Sequence, residues 1–162
     1  MSNRIEKDSF GEVQIPANRM WGAQTERAVQ NFKIGEERMP LGIIYALALA
    51  KKAAAYSNCD CGALSPEKRD LIATCCDEII AGKWDSEFPL RIWQTGSGTQ
   101  TNMNVNEVIS NRAEMIKNGE IAEITRFIHP NDDVNKSQST NDIFPTAMRI
   151  AVAKTLIDKT LP

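Results

Sequence analysis

The chain has 162 residues, with 19 Lys and Arg against 21 Asp and Glu for a formal charge of -2, and is 42% hydrophobic and 25% charged. That balance excludes disordered and collagen-like classes, and the length suits one domain with a core of its own. No basic block interleaves with aromatics, which argues against a nucleic-acid partner, and no apolar run reaches the roughly 18 residues of a membrane helix.

The first residues, Met1-Ser2-Asn3-Arg4-Ile5-Glu6-Lys7-Asp8, have neither an apolar signal core nor the look of a transit peptide, so a cytoplasmic location is expected. Residues 8–16 alternate weakly at Val13 and Ile15 between Gly11 and Pro16, which predicts a short extended segment. Thr25 is placed to cap a short helix over 26–32. Pro40 opens a long helical stretch with Ile43, Leu47, Ala50 and Ala54 on one face and Ile44, Ala48 and Ala55 on a second, so it should be well buried. Ser65-Pro66-Glu67 reads as a helix start, with a hydroxyl cap, proline at the first helical position and an acid in the first turn; Ile72, Cys75 or Cys76, and Ile79 form its apolar face, and Gly82 its stop.

Residues 94–104 are almost wholly polar, and from Val105 a helix is expected, with Val108, Ile109 and Ile116 inward and Asn118-Gly119 as its stop. A second polar segment, 129–141, feeds a last helix from Asn141, with Ile143, Ala147, Ile150 and Ile157 at helical spacing and Pro145 in its first turn. That helix is apolar on two sides at Leu156, Ile157 and Leu161 and wants partners.

The four cysteines, Cys59, Cys61, Cys75 and Cys76, lack the paired Cys-x2-Cys spacing of a metal site, and Cys75 and Cys76 point about 100° apart on a helix, so reduced thiols are expected. Asn135-Lys136-Ser137 matches the glycosylation sequon only formally. The run Gln94-Thr95-Gly96-Ser97-Gly98-Thr99-Gln100-Thr101 lacks the Lys of a phosphate loop and the third glycine of a dinucleotide fingerprint. It does offer hydroxyls and free backbone N–H groups at a helix start, where the dipole favours an anion, and Ser139, Thr140 and Asn141 repeat that chemistry. Two such starts would suit the two ends of a small dicarboxylate. Ordinary N-capping, by Asn141 in the second case, is the competing reading, and each segment taken alone favours it. His129, the only histidine, is open to readings as base, ligand or surface residue; without a second ligand it argues against a metal. Arg126 is a natural carboxylate partner. Gly96-Ser97-Gly98 lacks the spacing of a hydrolase elbow.

The run Ile92-Trp93-Gln94-Thr95-Gly96-Ser97-Gly98-Thr99-Gln100-Thr101-Asn102-Met103-Asn104-Val105-Asn106-Glu107-Val108, with the stretch from His129 to Pro145, resembles the class II fumarases of the fumarase/aspartase superfamily. The likeness extends from Trp21-Gly22-Ala23-Gln24-Thr25 to Ala147. Trp21, Trp93 and His129 side with fumarase against aspartase, the nearest competitor. The resemblance implies a mainly α fold, the N-terminal helical domain of that family over 1–138 with a short extended N-terminal segment, followed over 139–162 by the start of a central-bundle helix. It implies reversible anti addition of water to fumarate giving L-malate, without metal or other cofactor, in a homotetramer whose sites are shared among subunits. Ser97, Gly98, Thr99, Ser139, Thr140 and Asn141 would then contact substrate, and Arg126, His129, Asn131 and Asp132 would form a second dicarboxylate site. The family's later Thr-His motif and its Gly-Ser-Ser loop with Lys and Asn do not occur in these 162 residues, so no catalytic base is assigned and the chain by itself is expected to be inactive. A stand-alone helical module binding small anions, or part of an aspartase, are the alternatives.

Overall fold

The computed structural model describes residues 3–121 and 126–161. It is mainly helical. Strands β1 (Asn3–Asp8) and β2 (Gly11–Pro16) pair antiparallel as a hairpin, with Arg4 opposite Ile15 and Glu6 opposite Val13. Sequence pattern finds only the second strand, because the buried positions of β1 are Arg4 and Glu6 rather than apolar residues. They pair with each other at 2.8 Å, and Arg4 also donates to the carbonyls of Pro16, Arg19 and Trp21, so the burial is compensated.

Helices follow in order: α1 (Ala23–Asn31), α2 (Leu41–Asp60), α3 (Pro66–Ile80), α4 (Thr99–Asn118) and α5 (Thr140–Thr155). α2 runs through the middle, packed along α3 and α5, while α4 closes the core against α1 and α3. Its buried line is Ile44, Leu47, Ala48, Lys51, Ala55 and Asn58, whereas Ala50 and Ala54 of the first expected face are only half-buried. α3 starts as its sequence predicts: Pro66 is its first residue and the Ser65 hydroxyl accepts from Lys68 N–H at 3.3 Å. Cys75 and Cys76 are both buried in the core, which raises both thiols, Cys75 to about 12.

Four expected features are corrected. α1 begins at Ala23, and the Glu107 carboxylate, not Thr25, caps it, accepting from the N–H groups of Gly22, Gln24 and Thr25 and from the Thr25 hydroxyl. α4 begins at Thr99, six residues before the first valine, because Asn102, Asn104 and Asn106 are buried helix residues and not loop; Ile116, expected inward, is exposed. Pro145 lies inside α5 beyond its first turn, so the carbonyl of Asn141 loses its helical donor.

Candidate functional site

Both polar segments lead to helix starts that no side chain caps. Gly98 stands before α4 at φ 73°, a left-handed conformation that glycine takes without strain, and Ser139 stands before α5; neither contributes a capping side-chain hydrogen bond. Asn141 is a helix residue, so the N-capping expected of it is not what the fold uses. The contrast with Ser65 is local and chemical, since the same kind of hydroxyl closes α3. Unpaired N–H groups remain at the starts of α4 and α5, where the helix dipoles add positive potential.

Two contacts tie these starts together. Asn102, in the second turn of α4, donates to the Thr140 hydroxyl at 2.9 Å and to Asn135 Oδ1 at 3.1 Å. The Phe144 ring of α5 lies against Gly98 where a Cβ would project. Ser97 and Thr99, both exposed, share a hydrogen bond between hydroxyls at 2.9 Å. Beside them is a cleft of about 120 Å³ lined by Gln94, Thr95, Gly96, Gly98, Gln100 and Phe144, and none of its lining residues is titratable. Ser139, Thr140 and Asn141 do not line that cleft; they adjoin it through the Asn102 and Phe144 contacts.

The segment before α5 rests on α2. Lys51, fully buried, donates from Nζ to Asn135 Oδ1 and Gln138 Oε1, each at 3.2 Å, and burial pushes its pKa down to about 7. Asn135 in turn donates to the Gln138 carbonyl, and Asn58 of α2 to that of Lys136. Lys51, Asn102, Asn135 and Gln138 had no role in the sequence-based reading. A signal existed for Lys51, which falls four residues after Leu47 and four before Ala55, on the buried line of α2.

Arg126, His129 and Asn131 gather elsewhere, around a cleft of about 270 Å³ also lined by Glu6 and Lys7 of the hairpin and by Glu107. Asp132 is not part of its lining. Arg126 is paired through Nη2 with Glu6 at 2.6 Å while its buried Nε has no partner, so an incoming carboxylate would meet a guanidinium engaged on one side. His129 caps the π-type turn Pro130–Val134: its Nδ1 accepts from Asp132 N–H at 3.2 Å, while its own N–H donates to Asp133, which pairs with Lys68. Burial pushes the Glu107 carboxyl up to about 6 against the hydrogen bonds that favour its charged form. Among the described residues no group of His, Cys, Asp and Glu is arranged to hold a metal ion.

A family model described as lyase matches residues 11–162. The chain belongs to this lyase family. Within it, the chain is 62% identical to the class II fumarate hydratase of Pasteurella multocida and 61% identical to that of Haemophilus ducreyi, in each case over 100% of this chain and 35% of the relative. Among solved structures it superimposes with a TM-score of 0.93 on recombinant class II fumarase from Schistosoma mansoni, at 47% identity, covering 96% of this chain and 33% of that one. The chain thus spans about a third of the length of the lyases it matches. The helical fold with its small N-terminal hairpin is that of the fumarases, and no helix among the described residues is long and apolar enough to cross a membrane.

Proposed function

We propose that these residues form the carboxylate-binding part of a fumarate hydratase, which adds water across fumarate to give L-malate. The observation that carries this reading is the pair of uncapped helix starts, at Thr99 and Thr140, joined by Asn102. The identity to class II fumarate hydratases supports the substrate.

Hydration places hydroxide on one alkene carbon and a proton on the other, on opposite faces; in reverse, loss of the proton leaves carbanion charge that spreads into the neighbouring carboxylate. Donors fixed in advance where that charge gathers lower the barrier. The hydroxyls of Ser97 and Thr99 and the backbone at Gly98 would hold one carboxylate, and Ser139, Thr140 and Asn141 the other, each grip backed by a helix dipole. The cleft at Gly98 has no titratable lining group. We assign the proton-abstracting group to residues outside these 162, a reading supported by that lining, and infer that the 162-residue chain alone does not hydrate fumarate. Arg126, His129, Asn131 and Asp132 would form a weaker accessory dicarboxylate site, limited by the Arg126–Glu6 pair.

The domain boundary we assign is 138/139, one residue before α5 begins. Beyond Ala147, α5 exposes Val152, and the π-type turn that follows it, Leu156–Thr160, exposes Leu156 and Ile157, with Leu161 exposed next; of these Val152, Ile157 and Leu161 are more than half accessible, a surface fit for the helices of a bundle shared with other subunits of a homotetramer. The working location is the cytoplasm.

The test is conversion of fumarate to malate by the intact protein containing these residues and by the 162-residue chain alone. Hydration by the first and none by the second is expected. Malate formed by the short chain in proportion to its concentration would overturn the assignment of the base, and failure of the intact protein to hydrate fumarate would overturn the substrate.

A further inference from the structure

We propose that Lys51 is a positioning residue of the carboxylate site: its ammonium fixes, through Asn135 and Gln138, the segment that presents Ser139, Thr140 and Asn141, and supplies that site with positive charge. The inference rests on reading Ser139 to Asn141 as carboxylate contacts.

Lys51 sits mid-helix in α2 with no accessible surface, and its two hydrogen-bond acceptors are neutral amide oxygens at 3.2 Å. Among the described residues no carboxylate forms an ion pair with it, although buried or half-buried pairs such as Arg4–Glu6 and Arg112–Glu78 form elsewhere among them. A buried cation is costly unless a counter-charge or a full set of acceptors offsets it. A lysine needed only to fill space on an Ala- and Leu-rich face would be better replaced by leucine. What the ammonium does is orient two amides. Because it donates to Asn135 Oδ1 and Gln138 Oε1, the other ends of those amides are free to donate, from Asn135 to the Gln138 carbonyl at 3.0 Å and from Gln138 to the Val134 carbonyl at 2.9 Å. That closes the turn containing Ser137, the one non-glycine residue at positive φ among those described. Asn135 Oδ1 also accepts from Asn102, whose same amide nitrogen reaches Thr140. The path from Lys51 to the first residue of α5 is therefore three side chains long, every link a hydrogen bond, and it includes the residue that joins the two helix starts.

The charge has a second consequence. Burial holds Lys51 near pKa 7, so whether it is protonated depends on what surrounds it. From α3 it faces Cys76, a thiol that burial keeps neutral; from the 135–138 turn it faces the amides of Asn135 and Gln138. A dicarboxylate bound above the turn is the missing counter-charge, and by linkage a protonated Lys51 binds that anion more tightly than a neutral one.

The experiment is steady-state kinetics on the intact protein across pH 6 to 9 (roughly one unit below to two above that pKa). Wild type is expected to show KM for fumarate rising with pH through about 7. Lys51→Gln keeps a donor but loses the charge; its KM is expected to be raised by about tenfold or more, in the range typical of coupled sites, and to be flat through that pH, with kcat much less changed. Lys51→Arg, which keeps the charge, should restore most of the loss. Asn135→Asp, which gives Lys51 a carboxylate of its own, should raise KM without removing the lysine and serves if Lys51→Gln does not fold. Thr140→Val tests the underlying site. If Thr140→Val raises KM while Lys51→Gln or Asn135→Asp leaves KM and its pH profile as in wild type, the role of Lys51 is refuted and the site stands. If none of them raises KM, the reading of Ser139 to Asn141 as carboxylate contacts fails, and the role of Lys51 with it.

Discussion

Replacing Gly98 by alanine tests how the two helix starts are held together. At φ 73° an L residue is strained by about 1–2 kcal/mol. The added methyl would also overlap the Phe144 ring, and forcing a methyl into a packed contact costs about 1–3 kcal/mol. Together the loss should be about 2–5 kcal/mol. With an unfolding slope of about 2 kcal/mol per molar urea, the midpoint falls by about 1–2.5 M. Gly96→Ala is the control, since a Cβ there meets no atom within 4 Å and the residue has no positive φ. It should change stability by less than about 0.5 kcal/mol. Urea titration followed by far-ultraviolet circular dichroism measures both. Equal losses at the two glycines, or a loss at Gly98 below about 0.5 kcal/mol, would refute the claim that Phe144 seats α5 on this glycine.

Further tests address single contacts. Glu107→Gln turns an amide NH2 toward donors that now meet a carboxylate, and should lower stability by about 2–3 kcal/mol in thermal unfolding near neutral pH. The same variant has a pH signature: with the folded carboxyl pushed up to about 6 from 4.5, the folded state binds the proton more tightly than the unfolded one. That contribution is full below about 4.5, is lost as pH rises through about 6, and amounts to about 2 kcal/mol, so the wild-type profile should decline across that window relative to the variant. Glu6→Gln should release Arg126 and tighten malate binding at the accessory site several-fold by calorimetry; unchanged or weaker binding would show that Glu6 does not compete there. Ser65→Ala removes the α3 cap and should cost about 1 kcal/mol, a fall of about 2–4 °C in Tm.

Where local chemistry decides an element, the sequence was legible. Ser65, Pro66 and Gly82 mark the ends of α3 because capping and backbone freedom act within one turn. Gly119 stops α4 for the same reason. The start of α4 was misplaced because Asn102 and Asn104 look like loop residues until their partners, Thr140 and the Glu87 carbonyl, are known. β1 was hidden likewise, its inward positions being an ion pair whose other acceptors lie up to seventeen residues away. Of the candidate site, the chemical type of each residue was readable from the motifs. That Ser139 and not Asn141 precedes α5, and that Arg126 is already paired with Glu6, depends on tertiary contacts that no spacing announces.

The Glu107 cap also bears on the order in which the chain can fold. The N–H groups that start α1 find their acceptor 82 to 85 residues later, on a helix made long after the hairpin and α1 have been synthesised. Until α4 arrives, the first turn of α1 has only water to bond, and a helix of nine residues is too short to persist alone. The N-terminal thirty or so residues are thus a late-docking segment, added to a nucleus of α2, α3 and α4 instead of seeding it. Amide exchange during refolding should show α1 gaining protection after α4.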